Sequence, residues 1–293
     1  MGNGEQRLVS ESRYAMAAVV EQLGRIDLTD DGVAKLIALA ARLDALPEAA
    51  VTVETDFAYN GAFAVLEALR LRAAARGTTL SVRMPQGEYT RPFTAVVGFG
   101  CPGSGGATTI PIRRFTADDS AAIGGFLLDE WVRRARRLSS VECQYVVGPV
   151  AEIFANGLTH ARSAVGVLAC GQFFPAKEHL HLSVVDLGIT IPGSLAAARG
   201  RREESIDASR AVAWAFEPGH STLQTSRGLG LAILRTFIRE SGATLRVYSG
   251  RASVRIHGDS WEAHAARRFP GTLIDLELPT AEVRLPDGRE RYD

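Results

Sequence analysis

Between residues 96 and 111 the chain carries Gly98, Gly100, Pro102, Gly103, Gly105, Gly106 and Pro111, a density that no helix or strand interior tolerates. The stretch reads as a loop and domain linker, so the chain is expected to fold as two blocks. At 293 residues it is long enough for each block to bury a core of its own. The expected organisation is an N-terminal helical plus small α/β domain over 1–110, a second domain over 111–285, and a flexible tail over 286–293.

Periodicity assigns elements within these blocks. Residues 11–46 read as helical, with Leu36, Leu39, Leu43 and Leu46 at helical spacing and Asp30 or Asp31 as cap. Val51–Thr55 alternates as a strand; an apolar helix runs from about Gly61 to Ala75 and stops at Gly77; Leu80–Arg83 is a second strand. That is a small βαβ unit. In the second block, helices are expected over 117–138 and 142–164, and strands over 166–173 and 180–185. An irregular stretch over 193–225 holds a short helical piece around 209–216, followed by a helix over 228–240. Strands at 244–249, 254–257 and 272–278 close the block. The pattern is an α/β sandwich with helices on one sheet face.

Composition excludes several classes. Lys plus Arg and Asp plus Glu both total 33, so net charge argues for neither a nucleic-acid nor a membrane surface. The clusters Arg133, Arg134, Arg136, Arg137 and Arg199, Arg201, Arg202 read as solvated faces. Cys101, Cys143 and Cys170 are too scattered for structural zinc or a redox pair and read as reduced thiols in a cytoplasmic protein. The first residues lack the order of a signal peptide, and no apolar run approaches the roughly 20 residues that span a bilayer. Lys35 and Lys177 are the only lysines, and neither has a P-loop or a protein-kinase strand setting. Any ATP site must use another device.

Three segments carry candidate chemistry. Glu152, Asn156 and His160 recur at i, i+4 and i+8, one polar stripe on a helix whose apolar side is Ile153, Phe154, Leu158 and Ala161. His181–Pro192 is an apolar strand running into Asp186 and a turn at Gly188, where glycine allows positive φ and close approach of a ligand. Ser226–Ile233 contains Gly228, Leu229 and Gly230 at the opening of a helix, where bare N–H groups and the helix dipole favour phosphate.

In this order and spacing, the three segments resemble the N, G1 and G2 boxes of the GHKL superfamily (gyrase, heat-shock chaperone, histidine kinase, MutL). Pro270-Gly271-Thr272-Leu273-Ile274-Asp275-Leu276 is similar to that superfamily's closing Gly-Thr strand. The resemblance covers roughly residues 117–280 and implies a Bergerat-type α/β sandwich, a mixed sheet covered on one face by helices, that binds ATP and Mg²⁺. It also implies roles at matching positions. Asn156 is the expected metal ligand, and Asp186 the acceptor for the adenine amino group. Gly188 and Ile191 line the base pocket, and Thr272 holds a water against the ring. Gly228, Leu229 and Gly230 give backbone contacts to phosphate, under a lid formed by 193–225.

Glu152 stands where the ATP-hydrolysing branches and the anti-sigma-factor kinases of this superfamily carry a general base. The chain departs from the pattern at Thr190, Thr225 and Ser226, where glycines are usual, and at Thr159, where kinases often place a basic residue. His160 or Arg227 is expected to meet the phosphate charge instead. Residues 51–84 resemble a STAS-type interaction domain, although Asn60-Gly61-Ala62 stands where its phosphoacceptor serine belongs. All six histidines lie in the second block, none on a preceding dimerisation helix, which disfavours a sensor histidine kinase. The expected function is an ATP-dependent regulatory switch with slow hydrolysis. An anti-sigma-type serine/threonine kinase and a non-catalytic ATP-binding adaptor are the alternatives. The expected partners are ATP, a regulatory protein and a second copy of the chain.

Overall fold

A computed structural model describes residues 17–84, 108–222, 228–281 and 283. It is an α/β protein, and its layers follow from one five-stranded sheet. That sheet has the order β6-β7-β8-β10-β9, built from β6 (Thr109–Phe115), β7 (Val167–Phe174), β8 (His179–Asp186), β9 (Thr244–His257) and β10 (Ser260–Pro279). Every neighbouring pair in it is antiparallel, which corrects the expectation of a mixed sheet.

Alternate residues of these strands enter two different cores, as period-two geometry requires. Val167, Ala169, Leu182, Val184 and Ile274 join one, with residues of α4 (Ser140–His160) and α7 (Gly230–Ser241). Leu168, Cys170, Val185, Tyr248 and Leu273 face the other way and pack with the N-terminal half. The helices of the second block cover one sheet face and α1 (Asp30–Asp44) and α2 (Asn60–Ala74) cover the other, which corrects the expectation of a sheet covered by helices on one face.

Beyond α1 and α2 lies a three-stranded parallel sheet in the order β1-β3-β5, formed by β1 (Ala18–Gln22), β3 (Ala50–Glu54) and β5 (Thr79–Arg83). A small parallel pair joins β2 (Arg25–Ile26) to β4 (Phe57–Ala58). Helix α2 thus sits between two sheets. Its sequence, apolar on nearly every side, is what such a position demands. Gly61 marks the closest approach to the five-stranded sheet, because a Cβ there would meet Ser183 Oγ at 2.1 Å. Asp30 ties α1 to the β9–β10 hairpin through Ser253 Oγ at 2.8 Å and His264 Nε2 at 2.6 Å.

Several local expectations change. Residues 18–26 form strands within the stretch read as helix, because Val19 and Val20 pair in parallel with β3 and Gly24 (φ 58°) breaks the run. The cap of α1 is Thr29, which accepts from the Gly32 N–H, and not Asp30 or Asp31. β6 enters the expected linker despite Pro111, since an edge strand tolerates proline and the ladder is irregular between Ile110 and Arg113. The closing strands are two long arms of one hairpin, not three strands. The helical run after β6 changes from α3 (Ser120–Gly125) to a π stretch (Phe126–Trp131) and a tighter turn (Val132–Arg134). Cys101 and the 286–293 tail lie outside the described residues.

The shared core makes a direct prediction. Phe63 on α2 is 0% exposed, and Phe63→Ala should cost about 3–5 kcal/mol. All three tryptophans (Trp131, Trp214, Trp261) lie in the second block, so tryptophan fluorescence in a urea titration should report the lowered midpoint. An unchanged fluorescence midpoint would mean that the two blocks unfold independently.

Candidate functional site

The stripe on α4 points into a cleft at the end of the five-stranded sheet, on the α4–α7 face. Glu152, Asn156, His160, Asp186, Ile191, Gly228, Gly230 and Thr272 all line this one cleft, which encloses about 850 Å³ of empty space, solvent at its mouth included. Among the expected site residues, Gly188 and Leu229 do not line it, and Arg227 lies outside the described residues.

Strand geometry brings Asp186 and Thr272 together, because they are directly opposed on β8 and β10. Asp186 is 5% exposed. Its carboxylate accepts the Gly188 N–H at 2.9 Å and is also held by the Thr272 backbone N–H. Burial outweighs these bonds and pushes its pKa up to about 7. Thr272 Oγ1 lies 2.9 Å from Ser249 Oγ, which accepts the Ile191 N–H at 2.8 Å. This chain fastens the start of the next helix to the sheet end.

That helix, α5 (Ile191–Ala198), occupies part of the stretch expected to be irregular. Thr190 caps it by accepting the Gly193 N–H at 2.9 Å, and Pro192 sits in its first turn, where a missing N–H costs nothing. Thr190, a departure from the glycine pattern, is thus a helix cap. Gly188 also has another reason to be glycine. A Cβ there would lie 2.0 Å from the Ala161 carbonyl oxygen, so its smallness serves packing of the turn against the end of α4 and not approach of a ligand.

Glu152 faces the opening of α7. A Cβ on Gly230 would come within 2.2 Å of Glu152 Oε2, so only glycine lets the helix start beside that carboxylate. Among the described residues, no side chain caps the first turn of α7. Gly228 (φ 63°) adopts the left-handed conformation and packs on the backbone at His220, while Leu229 is turned outward, 43% exposed. Among the described residues, the Glu152 carboxylate and the Asn156 amide make no side-chain hydrogen bond. Both oxygens remain available to a ligand or a hard cation.

The surroundings of His160 disfavour the positive charge expected there. Burial lowers its pKa below the ordinary histidine value, and its Nδ1 pairs with Thr222 Oγ1 at 3.0 Å. Thr222 continues to Ser194 Oγ at 2.9 Å, linking α4 to α5 across the cleft. The opposite wall is aromatic. Trp214, on α6 (Ala208–Ala215), stacks on His220 with centroids 4.7 Å apart and planes 10° from parallel. Periodicity marks neither ring, although the six-residue return through Pro218-Gly219 is a turn signal.

Comparison with known proteins finds no matching family model and no matching curated protein. Among the described residues, no helix is long and apolar enough to cross a membrane.

The Asp186 carboxyl yields a signed stability prediction. Its folded pKa of about 7 is raised above the ordinary 3.8, so its favourable contribution is complete below about pH 3.8 and is lost as pH rises through 7. Asp186→Asn removes this titration and keeps an acceptor oxygen for the Gly188 N–H. The melting temperature of the variant minus that of the wild type should grow between pH 4 and pH 7 and level off above. A difference that is flat with pH contradicts the assignment.

Proposed function

We propose that the chain is a Mg·ATP-binding regulatory protein of the GHKL type that hydrolyses ATP slowly and couples nucleotide state to partner binding. The observation that supports this best is the convergence of Asn156, Asp186 and the Glu152–Gly230 contact on one cleft. An acceptor carboxylate, an amide oxygen and an uncapped helix opening are what a purine, a metal-bound phosphate chain and its terminal phosphate require.

In this reading the Asp186 carboxylate accepts a hydrogen bond from the adenine amino group, between the apolar side chains of Ile189 and Ile191. The Asn156 amide oxygen, with Glu152 close by, forms the oxygen-donor set for Mg²⁺. Bound Mg²⁺ would neutralise phosphate charge. The opening of α7 presents N–H groups to phosphate oxygens. Glu152 takes a proton from the attacking water as the new oxygen–phosphorus bond forms and the bond to ADP breaks. The His160–Thr222–Ser194 chain crosses the cleft, so a ligand that displaces Thr222 shifts α5 and transmits occupancy to the surface. The beginning of α2 is buried and carries Asn60-Gly61, which supports a structural role for the STAS-like half over a phosphoacceptor role.

Three outcomes test the proposal. Glu152→Ala should lower phosphate release by at least about 100-fold while ATP still raises the melting temperature. Asn156→Ala should abolish that thermal stabilisation in Mg²⁺. Because the Asp186 pKa is about 7, ATP affinity should fall as pH is lowered from 8 to 6, since a protonated carboxyl is the poorer acceptor. Phosphate release that survives Glu152→Ala unchanged would remove Glu152 from the chemistry.

A further inference from the structure

A second cluster lies at the other end of the same two strands, on the opposite face of the sheet. His179 and His181 alternate with Leu180, so both imidazoles project from one face of β8, towards the α1–α2 layer. The register places Glu277 of β10 directly beside His181. Asp186 is five residues along β8 from His181, roughly 17 Å away at strand rise.

The three side chains converge. His179 Nδ1 is 2.7 Å from Glu277 Oε1, and His181 Nε2 is 3.9 Å from the same oxygen. All three ligand atoms lie within 4.8 Å of one another. Ligands on a tetrahedral ion with bonds of about 2.1 Å are separated by about 3.4 Å, a value that the two observed distances straddle. The 3.9 Å separation is too long for a hydrogen bond, so Nε2 of a largely buried imidazole points at the carboxylate without bonding it.

His181 is held in place from several sides. Tyr59, at the start of α2, hydrogen-bonds its Nδ1 through the phenol oxygen. The Phe174 ring meets it edge-on at 4.9 Å, and the Trp131 indole N–H donates to its backbone carbonyl at 2.9 Å. A partner on the second ring nitrogen is the feature that orients metal-ligating histidines. His179, 31% exposed, leaves the cluster open to solvent on one side.

We propose that His179, His181 and Glu277 form a three-ligand site for Zn²⁺ or a similar borderline divalent cation, with Tyr59 as the positioning residue. Two imidazoles and one carboxylate suit Zn²⁺ better than Mg²⁺ or Ca²⁺, and three protein ligands leave a coordination position for water. Since Tyr59 belongs to the α2 layer and the ligands to the five-stranded sheet, the ion would stiffen the seam between them. The site is independent of the nucleotide cleft.

Chelator-treated, dialysed full-length protein is titrated with Zn²⁺ by calorimetry without nucleotide, and with Co²⁺ by visible absorption. One equivalent of Zn²⁺ should bind, and Co²⁺ should give the intense d–d bands of a low-coordinate site. His179→Ala and Glu277→Gln, both at partly exposed positions, should each weaken Zn²⁺ at least tenfold and bleach the Co²⁺ bands. Tyr59→Phe should weaken Zn²⁺ by about 10–100-fold while keeping the Co²⁺ spectrum. Absence of stoichiometric binding, or binding that survives His179→Ala and Glu277→Gln but is lost in Asn156→Ala, overturns the proposal.

Discussion

A sheet with two apolar faces needs two covers, and that requirement organises the molecule. Leu168 and Cys170 on β7 point away from Val167 and Ala169, so neither face of the central strands can be left to water. The α4–α7 layer satisfies one face and the α1–α2 layer the other. The N-terminal half therefore does more than sit beside the second block, because α2 closes a core to which Val185, Tyr248 and Leu273 belong. The glycine- and proline-rich stretch divides the sequence into two blocks, while the apolar packing runs across both.

The cleft is a consequence of the same sheet. Where β8 ends and its ladder with β10 begins, the paired side chains are Asp186 and Thr272 instead of further aliphatic residues, and both line the cleft. Keeping a carboxylate at 5% exposure works against folding above its unfolded pKa, as the rise to about 7 records. Under the proposed function, this stability cost is retained because a ligand completes the interactions at the cleft, where among the described residues the opening of α7 has no side-chain cap and the Asn156 amide no side-chain hydrogen bond.

Much of this was legible in the sequence, for identifiable reasons. Helical spacing alone places Glu152, Asn156 and His160 on one stripe, and α4 carries all three into the cleft. The apolar run over 61–75 marks α2 as a helix, while its burial between two sheets emerges only in the fold. What escaped depends on partners remote in sequence. Ala18–Gln22 is a strand because β3 lies beside it, and β6 accepts Pro111 because it is an edge. Pro192 closes the strand-and-turn segment that starts at His181 in the sequence, yet it opens α5 in the fold. Gly188 has the right residue type for ligand approach, yet what approaches it is the Ala161 carbonyl. The Trp214–His220 wall has no periodic signature, because one ring comes from the end of α6 and the other from the turn that follows it.

If the cleft reads a purine through an acceptor at Asp186, it must discriminate between nucleotides by the group at the purine 6-position. Calorimetric titration in Mg²⁺ compares ATP with inosine triphosphate, which carries a carbonyl oxygen where adenine carries its amino group. At pH 8.5, where the Asp186 carboxyl is ionised, ATP should bind and inosine triphosphate should bind at least about tenfold more weakly, since two acceptors then face each other in a buried site. Equal affinity for the two nucleotides, or binding of neither, would contradict it.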